Sequence, residues 1–373
     1  MWRMTSLVAV LGAAGLQAQE IVELPGEDRP VSPDLELVYR IGSAAAAAEW
    51  EQFAAIRNVA FDGAGNLYLL DGTRMAATSR VVMVGASGAY MRDFGRAGEG
   101  PGEFRAPTQL VVWEDGLSLV SDMMHGGYHV FGPGGEFEHM VRETGSMFGV
   151  RSGLRPERTG SRTLIGRSER SVVRLDMSLE EVEDRVLVET WDPRGHEEQG
   201  QRTGGIEDLI REVWGFEPEL LFDALPPGGV ALSDSSVYAI KVTDPSGTVS
   251  SILRRAIRPV PVTEEMRRAE RERRLEAERN RRFTSLSGGE PSPQFDALVN
   301  DLTTARRAAI ENMRFFPEVP VIAALRSTWD GALWVQRSAE PGSVEPGPID
   351  VITPDGQGPT DSHLIGVIEV TGT

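Results

Sequence analysis

The chain has 373 residues, of which 40% are hydrophobic and 25% charged, with a net charge of −18 and no cysteine. That length and apolar fraction allow a large core and suit a globular protein rather than a disordered one. The lack of cysteine excludes disulfides, Cys-ligated zinc, thiol catalysis and a lipid-modified N-terminal cysteine, and the acidic balance argues against broad nucleic-acid binding.

In chain order, residues 1–18 read as a removed signal peptide. Arg3 supplies the basic start, Leu7 to Leu16 is an apolar and small-residue run, and Leu16-Gln17-Ala18 offers a small-residue cleavage site before Gln19. A run of roughly 10 apolar residues cannot cross a hydrocarbon core of about 30 Å, which takes about 20. The expected location is therefore periplasmic or extracellular, as a soluble protein without a membrane span. Residues 19–34 form an N-terminal extension, and the main domain is expected over 35–373.

That domain is built on a repeat. Gly65-Asn66-Leu67-Tyr68-Leu69-Leu70-Asp71 reads as a glycine turn, an alternating strand and an aspartate. The frame returns at Gly116 to Asp122 and Gly228 to Asp234, at Gly331 to Arg337 with arginine last, and more weakly at Gly160 to Gly166. A second turn glycine follows the strong copies at Gly88, Gly135, Gly247 and Gly356. Each unit thus holds two hairpins, and four short strands per 40 to 50 residues or so is the period of a propeller blade. Uneven spacing marks two insertions. One covers 193–217 and is partly helical. The other, 263–316, reads as two helices: Glu264 to Arg282, and a stripe of Phe295, Leu298, Val299, Leu302, Ala305, Ala309 and Met313 bounded by Pro291, Pro293 and Pro317.

The segment Gly98-Glu99-Gly100-Pro101-Gly102-Glu103-Phe104, with Pro107 after it, resembles an NHL repeat. The order from Leu35 to Gly356 resembles exported bacterial six-bladed β-propellers. The resemblance implies a fold and export but no agreed activity or catalytic residues. The expected fold is an all-β propeller of the six-bladed type, with five clear four-stranded blades, an incomplete sixth and a helical insertion. In such propellers the N-terminal strand, here Leu35 to Ile41, completes the last blade. His363 to Val370 is expected to close the fifth, and an open ring would leave strand edges free for self-association.

No reactive constellation stands out. There is no Gly-x-Ser-x-Gly elbow or phosphate loop. The five histidines are scattered, and His125 and His129 fall on a loop and a strand, a weak pattern for zinc. Asp62 to Asn66 faintly resembles a calcium loop but fits an Asx turn better. The candidate site is the loop face, where Asp71, Asp122 and Asp234 end second strands and Arg74, Arg96, Glu99, Glu103, Arg105, Met123, Met124 and His125 gather. Its aspartates are more simply turn caps. Thr263 to Arg282, with eight arginines and six glutamates, is slightly basic and reads as a solvated helix or an interaction arm. The leading function is binding of a protein, peptide or glycan through the loop face, without cofactor, metal or nucleic acid. The alternative is a propeller lyase or lactonase-type hydrolase using channel acids and a divalent cation.

Overall fold

A computed structural model describes residues 19–31, 37–42, 48–72, 79–143, 151, 153–159, 162–168, 170–191, 213–281, 293–343, 345–353 and 364–368. The signal-peptide segment, and the expected insertion up to residue 212, lie outside the described residues.

The repeat folds as a β-propeller of five blades, each an antiparallel sheet whose strands run from inside to outside in chain order. Blade 1 comprises Ile56–Phe61, Leu67–Gly72, Ser79–Val84 and Tyr90–Phe94. Blade 2 comprises Pro107–Val112, Ser118–Asp122, Gly127–Phe131 and Phe137–Arg142. Blade 3 has a two-residue inner strand, Arg155–Pro156, then Thr163–Ser168, Ser171–Asp176 and Glu183–Glu189. Blade 4 holds Leu221–Leu225, Gly229–Ser233, Ala239–Thr243 and Val249–Arg255. Blade 5 holds Ile322–Ser327, Leu333–Arg337, Ile349–Ile352 and Leu364–Ile368.

The strands are short and turn tightly. In blades 1, 2, 4 and 5 the hairpin before the second strand holds a glycine at positive φ, as Gly116 does at 86° without the penalty a Cβ would bring. At Gly247, also at positive φ, a Cβ would meet the Leu187 carbonyl of the neighbouring blade at 2.0 Å. Asp62 accepts from the backbone N–H groups of Ala64 and Asn66, so the segment likened to a calcium loop is an Asx-type turn.

Alternation along the second and third strands buries both faces. Tyr68, Leu70, Val81 and Met83 pack against blade 2 with Phe104, Leu110 and Val120, while Leu67, Leu69, Val82 and Val84 point the other way. Equivalent clusters join blades 2 and 3, 3 and 4, and 4 and 5. Sheet-on-sheet burial of this kind is the main force holding the ring.

Between blades 5 and 1 no such cluster occurs among the described residues. The outer face of blade 1 is instead covered by Tyr39, Ile41, Trp50 and Phe53. Ile56, Val59 and Phe61 on the inner strand of blade 1 face the central cavity and are each about half exposed, and Trp334 of blade 5 is 41% exposed. This corrects the expectation of a six-bladed ring: the described residues make five blades and no part of a sixth. It also corrects the predicted N-terminal strand, because residues 37–42 are not a strand and cap blade 1 rather than joining the last blade. The strand that does join a late blade lies earlier. Glu20–Leu24 runs parallel to the outer strand of blade 4, satisfying its open edge, and Leu24 enters the core between blades 4 and 5.

The late insertion forms two helices, α1 (Glu264–Arg279) and α2 (Pro293–Glu311). Thr263 caps α1 by accepting from the Met266 N–H. The base is pinned by short strand pairs, Val260–Pro261 with Glu318–Val319 and Trp214–Gly215 with Arg314–Phe315. No helix among the described residues is long and apolar enough to cross a membrane.

Candidate functional site

Asp71 pairs with Ile56, and Asp122 with Pro107, so the inner strands begin at the end of the ring where these aspartates lie. Asp71 accepts from the backbone N–H groups of Ala54 and Ala55 and pairs with Arg80. Asp122 accepts from four backbone N–H groups, those of Arg105, Ala106, Met124 and His125. In both blades the carboxylate fixes the two residues that lead into the inner strand. Asp234 accepts from the Trp191 N–H and the Lys241 ammonium. All three are buried, with both oxygens of Asp71 and Asp122 and one of Asp234 engaged by the fold.

The other loop-face residues pair with one another. Arg96 bridges to Glu103 at 2.5 Å and Arg105 to Glu99 at 3.6 Å. Glu103 also accepts from the Gly100 N–H, which together with Arg96 holds its carboxyl below the usual carboxylate range. Arg74 lies outside the described residues. The structure thus places Arg96, Glu99, Glu103 and Arg105 on one connection, with Asp122 and His125 at the adjacent turn and Asp71 and Asp234 in other blades.

Asp122, His125 and His129 form the one trio of His, Asp or Glu donors found within 4.8 Å of one another among the described residues. His125 Nδ1 lies 3.1 Å from Asp122 and 3.3 Å from His129 Nε2. His129 is boxed in by Phe104 and Phe137, and burial, then the neighbouring His125, pushes it down to about 4. A neutral imidazole suits a metal. Ligating histidines, however, give their second nitrogen a partner, and here His125 Nε2 and His129 Nδ1 are buried without one. One proton on His125 Nδ1, shared between Asp122 and His129 Nε2, accounts for both short contacts. The trio reads as packing around a turn.

A feature that loop-face reasoning misses is the channel. The five inner strands enclose a cavity of about 680 Å³. Polar residues on these strands staple successive blades. Asn58 accepts from the Leu110 N–H, Gln109 exchanges two hydrogen bonds with the Leu154 backbone, and Asp223 accepts from the Ser327 N–H. Arg155 completes the series, 3.9 Å from Asp223. Arg158 crosses from blade 3 to blade 5, donating to the Ser327 carbonyl and lying 3.8 Å above the Trp329 ring. Arg326 donates to the carbonyl of Leu325. Four arginines (57, 155, 158 and 326) therefore line the cavity with a single acid, Asp223. The sequence signal for this was a polar residue inside each apolar run preceding a glycine turn, which the repeat frame converts into an inner-strand position.

No family model and no curated protein matches the chain. Similar solved structures include a Bacteroides fragilis protein described as exported, at 12% identity and a TM-score of 0.45, covering 90% of this chain and 77% of that one. A DUF4221 family member from Bacteroides vulgatus has 9% identity and a TM-score of 0.46, covering 86% and 83%. Virginiamycin B lyase from Staphylococcus aureus has 10% identity and a TM-score of 0.36, covering 79% of this chain and 65% of that one. Likeness at this level lends the chain no site, ligand or activity.

Proposed function

We propose that this protein is an exported binding propeller that takes its ligand into the central channel, with the loop connection from Arg96 to Arg105 at the rim. The observation that carries this reading is the cavity shared by the inner strands of all five blades, of a size that suits a small molecule or the end of a larger one. Among the described residues that line it, Asp223 already accepts from the Ala224 and Ser327 N–H groups and the Ser327 hydroxyl donates to the Ala224 carbonyl, which favours binding over catalysis. The signal-like stretch from Leu7 to Leu16 supports export, and the Gly98–Phe104 motif supports kinship with NHL-type propellers.

Peptide and glycan arrays probed with labelled protein test the location of binding. Val59→Trp adds bulk at a half-exposed cavity position, while Arg96→Ala with Arg105→Ala strips the rim. The proposal expects array signals to be lost in the first variant and retained in the second. Signals that survive Val59→Trp and vanish in the rim variant would move the site to the loop face.

A further inference from the structure

On an acidic protein, the channel is lined by more arginines than acids among the described residues. Arg155, Arg158 and Arg326 line the same cavity as Asp223, and both oxygens of that carboxylate are already hydrogen-bonded. One oxygen accepts from the Ala224 N–H at 2.8 Å and the other from the Ser327 N–H at 2.9 Å. Its nearest guanidinium contact, to Arg155, is 3.9 Å. The Nε atoms of Arg155 and Arg158 are buried and have no partner among the described residues. For these two half-buried guanidiniums water screens less than at the open surface, and each unmade hydrogen bond is costly, whereas Arg326 is exposed.

Burial, then the nearby Arg326, lowers the proton affinity of Arg155, and burial lowers that of Arg158. Arginine still stays protonated at neutral pH. Asp223, with Glu114 also acting on Arg158, offsets only part of the charge that the three groups carry. The planar fork of arginine matches two oxygens of a carboxylate or phosphate. Strand direction places the cluster away from the Asp71 and Asp122 end, because Arg326 and Ser327 close the inner strand of blade 5. The cluster therefore lies towards the end of the channel opposite the Asp71 and Asp122 rim, with Arg155 and Arg158 half-buried and Arg326 exposed. The net charge of −18 repels anions at long range, so recognition must be local.

We propose that Arg155, Arg158 and Arg326 form an oxyanion site for a small ligand bearing a carboxylate or phosphate group. This rests on the channel reading above and adds the charge of the ligand to it.

Isothermal titration of the full chain with sodium citrate and with inorganic phosphate, at fixed ionic strength in chloride buffer, tests the proposal and separates the two oxyanion sources. Mannitol serves as the neutral control. The wild-type protein should bind at least one anion saturably and one-to-one, and should not bind mannitol. Arg155→Met combined with Arg158→Met should weaken that binding at least tenfold. Should that pair fail to fold, Arg326→Met serves alone, since its guanidinium makes one bond to its neighbour's carbonyl. Arg96→Met with Arg105→Met should leave the affinity unchanged. Wild-type protein that binds neither anion, or an Arg326→Met variant that binds as tightly as wild type, would overturn the oxyanion site. In that case array binding blocked by Val59→Trp would still uphold the channel. Anion binding lost only in the rim variant would defeat both.

Discussion

His129 shows how one side chain makes stability depend on pH. Its ring is buried in the aromatic cluster of Phe104, Phe131 and Phe137, and the groups facing it are His125 and Asp122. Burial holds its folded-state value near 4, against 6.5 when free. Between those values the unfolded chain takes up a proton that the folded chain refuses. Stability is therefore fully present above about pH 6.5 and falls as pH drops towards 4, by about 3 kcal/mol at most. Urea unfolding at pH 7.5 and 4.5 measures the loss. His129→Leu should show a smaller loss than wild type, because the acid-labile group is gone; equal losses would contradict this account. The aspartates that end second strands were legible as backbone N–H acceptors, but only Asp122 is seen to cap its own turn; Asp71 reaches Ala54 and Ala55, and Asp234 reaches Trp191. The channel arginines were legible only as polar positions on or beside inner strands; that Arg155 meets Asp223 of the next blade, and Arg158 meets Ser327 two blades on, leaves no mark on local sequence.

The strands of the glycine-turn frame were legible because each pattern is short, periodic and bounded by residues at positive φ. The two helices of the insertion were legible for a similar reason, from Thr263 at one end and Pro317 at the other. The role of residues 37–42 was not. An apolar stretch such as Leu37 to Ile41 can pair as a strand or simply cover an apolar face, and only the exposed side of blade 1 decides between them. Excision tests the independence of the insertion. The Val262 N–H donates to the Pro317 carbonyl at 2.8 Å, so the ends of the insertion already meet. Ile310, Met313 and Phe316 are buried at its base, yet none belongs to the clusters that join the blades. Phe316 packs on Trp214 instead. Replacing Thr263–Phe316 by a short glycine-rich link should leave cooperative thermal unfolding and a β-type circular dichroism spectrum. Loss of cooperative unfolding would show that the helices belong to the core.

Across the whole molecule, four blade-to-blade cores and one capped seam hold five blades around a channel. Blade 4, blade 5 and the N-terminal segment are also tied by charge: the buried Arg255 pairs with Asp350 and Asp28, and Arg337 with the same two acids. That network ties these elements together with its charges paired, whereas arginines outnumber acids along the channel, and the proposed oxyanion site rests on this contrast. Hydrogen exchange of the full chain, followed by mass spectrometry with and without sodium citrate, tests the claim most directly. Slower exchange is predicted for residues 154–158 and 322–329, with 96–105 unchanged. Slower exchange confined to 96–105, with the inner strands unaffected, would contradict a ligand held in the channel.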